Sequence, residues 1–276
     1  MKIREDKEYR IVTTQSLKSS MSWRVHSWGK SGSPVLFFHG FTGTGEDAEG
    51  IASSMGNGHP VIAPDLPGHG GTDCMPEDGE GWVASMMSLM EVLDLTGVHL
   101  CGYSMGGRLA MRLALRVPER ISTLTLLSCF PGIRDEDSRS ERRRWDLAVG
   151  ADAVRLGAIQ FAEHWESLPL LKVYQPGLLS QRVAARRRAQ RPEFLRRGLR
   201  DFGSGSVAPC WDELPRLKTP VRLIAGEYDL KYRELMEEMT SHVGTLHIVA
   251  GAGHCVHLDA PREVARLLEE LEDQRS

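Results

Sequence analysis

No two of the five cysteines in this chain stand in C-x-x-C spacing; Cys74, Cys101, Cys129, Cys210 and Cys255 are scattered and odd in number. That excludes a zinc ribbon or a disulfide framework and fits a reducing compartment. No apolar run reaches membrane-spanning length, and the opening residues, Met1-Lys-Ile-Arg-Glu-Asp-Lys-Glu8, are too charged for a secretory signal. A cytoplasmic location with no membrane partner is expected. The formal net charge of −3 gives no global pull toward nucleic acid or anionic lipid. Phosphate loops of the Gly-Lys-Ser/Thr or G-x-G-x-x-G type are missing, and the histidines lack paired spacing with cysteine or carboxylate. Neither a cofactor nor a metal is expected. There is no internal repeat and no low-complexity linker, and the pattern leaves the oligomeric state open.

What is present is an alternation. Short apolar runs recur at Val35–Phe38, Val61–Ala63, Val98–Leu100, Leu124–Leu127, Val221–Ala225 and Leu246–Val249, and helical periods such as Trp82–Leu95 and Arg108–Arg116 separate most of them. Strands alternating with helices give an α/β fold, a mostly parallel sheet with helices on both faces. At 276 residues the chain can bury a large core.

The rhythm breaks between Phe130 and Trp211, where helical patterns are separated only by Pro131-Gly132, Pro169, Pro176-Gly177 and Gly203-Ser-Gly205. The expected organisation is a core of residues 1–129 and 212–276 with a helical cap, 130–211, over the carboxyl ends of the strands, where open α/β sheets bind ligands. Gly203 and Gly205 are its candidate hinges. Between Arg134 and Arg200 there are fourteen Arg and one Lys against nine Asp and Glu, a surplus of six positive charges, so the remainder carries −9. Arginine is a good helix former and most of these belong to solvated faces. A cationic cap on an acidic body still suggests an anionic substrate.

Gly102-Tyr-Ser-Met-Gly-Gly107 follows one apolar run and opens a helical pattern. Strand, sharp turn and helix are the setting of a nucleophile elbow, with small residues at 102 and 106 where strand and helix pass closely. Serine needs a histidine to take its proton and a carboxylate to orient that histidine, in the chain order Ser, acid, His. Asp229 follows the run at Val221 and His254 follows the run at Leu246; Glu227 and His257 are their competitors. Ser104, Asp229 and His254 are thus the candidate triad. The oxyanion hole should use the N–H of Met105 and an N–H from His39-Gly-Phe-Thr-Gly43, with Phe41 the candidate donor. His39 reads as a shaper of that loop, and Asp65-Leu-Pro-Gly-His-Gly-Gly-Thr72 as a structural turn beside the site.

Together these motifs resemble the α/β-hydrolase superfamily over nearly the whole chain. His39–Asp47, Asp65–Thr72, Gly102–Arg108, Pro131-Gly-Ile133, Glu141–Arg144, Phe161–Trp165 with Pro169, and Gly226–Lys231 resemble, more narrowly, the 2-succinyl-6-hydroxy-2,4-cyclohexadiene-1-carboxylate synthases of menaquinone biosynthesis. The resemblance implies a lyase that eliminates pyruvate from a tricarboxylate cyclohexene, with Ser104 and His254 abstracting a ring proton rather than attacking a carbonyl. It also implies that Arg108, Arg142 and Arg187 clamp carboxylates, with Arg186, Arg188 and Arg191 as alternative registers for the last. Tyr103, Trp165 and Lys231 complete the implied pocket. The alternatives are a carboxylic-ester or thioester hydrolase with the same triad and a non-catalytic ligand receptor on the same scaffold.

Overall fold

The computed structural model describes residues 4–6, 9–15, 20–30, 32–56, 59–73, 76, 79–174 and 177–273. Cys74 and Pro176 lie outside the described residues. Along the chain, β1 (Arg4–Asp6), β2 (Tyr9–Gln15) and β3 (Ser20–Trp28) precede β4 (Val35–Phe38), α1 (Glu49–Ala52), β5 (Val61–Pro64), α2 (Gly79–Val92), β6 (Val98–Tyr103), α3 (Met105–Arg116) and β7 (Ile121–Leu127). Three helices follow without an intervening strand, α4 (Glu136–Glu166), α5 (Leu178–Arg188) and α6 (Pro192–Phe202). The chain then returns to β8 (Val221–Gly226), α7 (Leu230–Met239), β9 (Thr245–Val249), α8 (Val256–Asp259) and α9 (Pro261–Asp273).

The nine strands among the described residues form one sheet in the order β1-β2-β3-β5-β4-β6-β7-β8-β9. Pairing is antiparallel from β1 to β5 and parallel from there to β9. The sheet is therefore mostly parallel, and helices cover both its faces. Alternation along the strands makes the two layers explicit. Leu36 and Phe38 of β4 join one cluster with Trp82, Met86 and Leu109 from α2 and α3, whereas Val35 and Phe37 join another with Ile51, Val264 and Leu268 from α1 and α9. The central strands read as unbroken apolar runs because both faces are covered, and β6, β7 and β8 are buried at every residue.

The N-terminal strands are an addition to the sequence reading. β2 and β3 carry no continuous apolar run; Met21, Trp23 and Val25 alternate with polar residues, and only the alternating set is buried on the α2 side. Trp23 Nε1 donates to Thr14 Oγ1 across this pair at 3.1 Å. The inserted helices are likewise less regular than their composition suggests. α4 breaks at Gly157, which takes φ +75° and ψ 168°, a conformation L side chains rarely adopt. Beyond the break, Phe161 joins Ala153 and Leu195 in a small core of the inserted helices, against which Phe41 and Trp165 pack.

Candidate active site

β6 ends at Tyr103 and α3 starts at Met105, so Ser104 alone makes the turn. It does so at φ +49°, ψ −109°, a strained conformation for a non-glycine residue, and its N–H is tied to Leu127 O at 2.9 Å. Strand and helix leave no room at either flanking glycine. A Cβ on Gly102 would come 2.6 Å from Gly106 O, and one on Gly106 would collide with the carbonyls of Phe38 and His39. The turn thus holds the serine hydroxyl at the carboxyl edge of the sheet.

Two further strand ends bring its partners. Asp229 follows β8 and is 3% exposed; His254 follows β9 and is equally buried. His254 Nδ1 lies 2.8 Å from Asp229 Oδ2, and His254 Nε2 lies 3.3 Å from Ser104 Oγ. A carboxylate only accepts, so Nδ1 carries the proton and Nε2 is free to accept from the serine hydroxyl. Asp259 fixes the loop by accepting from Gly253 N at 2.8 Å and from Tyr174 N at 2.7 Å. The rivals are occupied elsewhere. Glu227 is exposed and accepts from Gly251 N, while His257 is buried beneath Tyr103 with ring centroids 4.2 Å apart. Burial lowers the pKa of His257 to about 3, so it is neutral at ordinary pH.

The N–H of Met105 begins α3 and has no partner within the helix, and Phe41 sits in the loop after β4, facing the same space. His39 holds that loop. Its Nε2 accepts from Leu66 N at 2.9 Å, which leaves Nδ1–H to donate to Gly40 O at 2.7 Å. Asp65 closes the neighbouring turn, accepting from Gly45 N and Gly71 N at 2.8 and 2.7 Å. The glycine-rich stretch from 65 to 72 is accordingly a scaffold for the site.

Above the serine lies a cavity of about 350 Å³, walled on one side by Phe41, Tyr103, Met105 and His254 and on the other by the inserted helices. Arg108, Arg142, Arg187 and Lys231 line it, and no Asp or Glu does. Arg108 is 5% exposed, donates a long hydrogen bond of 3.4 Å to Phe202 O and has no carboxylate within ion-pair range among the described residues. Burial, and then nearby Arg142, lower its pKa. Arg142 is aimed by Asp146, a fully buried carboxylate that accepts from Arg142 Nε at 2.8 Å and from Gly205 N at 3.0 Å. Gly205 thus lies bonded and packed against the backbone of α4, the setting of a close approach rather than a hinge.

The four candidate arginines of the α5 region diverge. Arg186 pairs with Asp47 at 3.0 Å, Arg188 with Glu166 at 3.2 Å, and Arg191 donates to Thr72 O, while Arg187 lines the cavity, its Nη1 3.7 Å from Glu166 Oε1 and its Nε without a hydrogen bond. Trp165 stacks on Phe161 and meets Phe41 edge-on, its indole N–H buried without a partner. The Tyr103 hydroxyl is bonded to Cys255 Sγ at 3.4 Å. Sequence reasoning missed Trp145, Ser204 and Tyr232 in the cavity wall. Tyr232 stands three residues past Asp229 on α7, where its spacing looks like that of a core residue. Among the described residues no cluster could hold a metal ion, and no helix is long and apolar enough to cross a membrane.

An elbow serine on a parallel sheet with acid and histidine at later strand ends defines a class, and the chain belongs to the alpha/beta hydrolase family, whose profile matches residues 35–267. Within that class the likeness narrows. The chain is 32% identical to a protein of Bacillus subtilis (strain 168) named "Putative 2-succinyl-6-hydroxy-2,4-cyclohexadiene-1-carboxylate synthase", over 86% of this chain and 89% of that one. It is 29% identical to the 2-succinyl-6-hydroxy-2,4-cyclohexadiene-1-carboxylate synthase of Salmonella typhimurium (strain LT2), covering 89% and 96%. Among solved structures, MenH from S. aureus superposes with a TM-score of 0.84 at 26% identity, covering 91% of this chain and 98% of that one.

Proposed function

We propose that the chain is a 2-succinyl-6-hydroxy-2,4-cyclohexadiene-1-carboxylate synthase, a carbon–oxygen lyase that releases pyruvate from a tricarboxylate cyclohexene in menaquinone biosynthesis. One observation carries this reading beyond the family likeness: Ser104 and His254 open into a cavity lined by four cationic side chains and no carboxylate. Asp146 and Glu166, outside the cavity lining, already pair with Arg142 and Arg187, but buried Arg108 has no carboxylate within ion-pair range among the described residues. A neutral ester would leave that charge unpaired, whereas a polycarboxylate would match it. Residues 130–211 act as the cap, supplying Arg142 and Arg187, with Trp165 as an apolar wall; Arg108 and Lys231 come from the core, and Tyr103 completes the floor.

The chemistry follows from the distances. Ser104 Oγ, its proton drawn toward His254 Nε2, abstracts the ring proton, and Asp229 stabilises the imidazolium that results. The N–H groups of Met105 and Phe41 hold the oxygen on which the delocalised anion accumulates. The ring C–O bond then breaks, a second ring double bond forms, and the departing enolate oxygen takes the proton from His254 to leave as enolpyruvate, which tautomerises to pyruvate. The test is pyruvate release and diene absorbance measured together on the upstream enzyme's product. Wild type should turn over, and Ser104→Ala and Arg142→Ala should each lose at least about 100-fold. A folded wild type that releases no pyruvate refutes the proposal and favours an esterase of acidic substrates, for which the same serine, histidine and N–H pair are suited.

A further inference from the structure

We propose that Tyr232 is a further catalytic residue, whose hydroxyl donates a hydrogen bond to the departing three-carbon acid beside His254 and Arg108. The inference rests on the lyase reading above. Tyr232 is 6% exposed and lines the cavity with Ser104, Arg108, Arg142 and His254. Its ring lies 4.3 Å from the His254 ring and meets Phe130 edge-on at 6.0 Å, so the side chain is held from two sides. Phe130 in turn carries the Arg108 guanidinium 5.8 Å above its ring.

Two tyrosines flank the imidazole, and they differ in what their hydroxyls do. Tyr103, 5.3 Å from the His254 ring, has its hydroxyl bonded to Cys255. The Tyr232 hydroxyl makes no hydrogen bond with the described residues and is open to the cavity, where a phenol takes its hydrogen-bond partner from whatever fills that space. A bound molecule would supply it. Burial raises the phenol's pKa more than Arg108 and Arg142 lower it, so the group is protonated at neutral pH and can donate.

The position selects the part of the substrate. The oxygen that receives the proton from His254 must lie against the imidazole, and Tyr232 is the cavity residue that touches this ring with an uncommitted hydroxyl. As the C–O bond breaks, its electron pair passes to the leaving oxygen. A neutral donor there stabilises charge that exists only late in the reaction, so its loss falls on kcat more than on KM.

Tyr232→Phe keeps the ring against His254 and Phe130 and deletes only the donor. In the pyruvate-release assay kcat should fall about 10- to 100-fold with KM changed less than about threefold. Product inhibition by pyruvate should weaken about tenfold, and the thermal midpoint should hold. A variant with wild-type kcat and wild-type pyruvate inhibition overturns the role of Tyr232 and leaves the lyase reading intact. A kcat loss that tracks a lowered midpoint, with pyruvate inhibition unchanged, also overturns it, because packing alone would then explain the loss. A wild type that releases no pyruvate overturns both.

Discussion

Arg108→Met should make the protein more stable and less active. The guanidinium is buried on the first turn of α3, and its compensation is a 3.4 Å hydrogen bond to Phe202 O and the distant face of Phe130. Desolvating a cation costs several kcal/mol, and those two contacts return about 1 kcal/mol each. Methionine fills a similar volume without the charge, so the empty protein should gain about 1–3 kcal/mol. For a chain of this size that raises the thermal midpoint by roughly 2–10 °C. The same substitution removes a charge-assisted partner of the substrate, worth about 2–5 kcal/mol, or about 30- to 5,000-fold in kcat/KM. Calorimetry of the ligand-free protein and the pyruvate-release assay read the two halves separately. A variant that melts lower than wild type, or that keeps full activity, refutes the argument that Arg108 is an uncompensated charge waiting for an anion.

Asp146→Ala should cost about 2–4 kcal/mol, because it strands the buried Gly205 N–H and frees Arg142, and it should raise KM about tenfold. Urea unfolding and substrate kinetics check this, and an unchanged KM would show that Asp146 does not aim Arg142. Burial lowers the pKa of His69, His99 and His257 to about 3, from an ordinary value of 6.5. The unfolded chain therefore binds more protons between those values, so this stability is complete above pH 6.5 and is lost as pH falls toward 3. Each histidine contributes about 1.4 kcal/mol per pH unit in that window. Unfolding free energies from pH 7 to 4 should decline steeply, and His99→Val should flatten the slope by about one proton; equal slopes would show that His99 titrates freely when folded.

The parallel half of the fold and its elbow were legible because their signals are local. A strand covered on both faces must be apolar throughout, and a turn as tight as Ser104 must have glycines beside it. The antiparallel strands were not seen, since β2 and β3 bury only alternate residues and never form a run. Gly157 was invisible for another reason: a lone glycine in a helical pattern is usually tolerated, and only the backbone reveals the break. Arg187 could not be told from Arg186, Arg188 and Arg191, because successive helical residues point about 100° apart and the choice depends on how α5 is turned against the core. Tyr232 escaped because an aromatic on the inner face of a short helix is ordinarily packing. Its neighbour across the site, His254, comes from a different strand end, after β9.

Arg108 comes from the body of the fold and Arg142 and Arg187 from the helices above it, so like charges confront one another across the cavity, and the carboxylates that pair with Arg142 and Arg187 lie outside its lining. Such a vessel discriminates by counting. A guest with one carboxylate could fit the space and still leave repulsion between the two halves. One with three changes that repulsion into mutual attraction, so that the molecule to be transformed also acts as the mortar between the walls that enclose it. Valence, more than shape, would then decide which molecules are admitted.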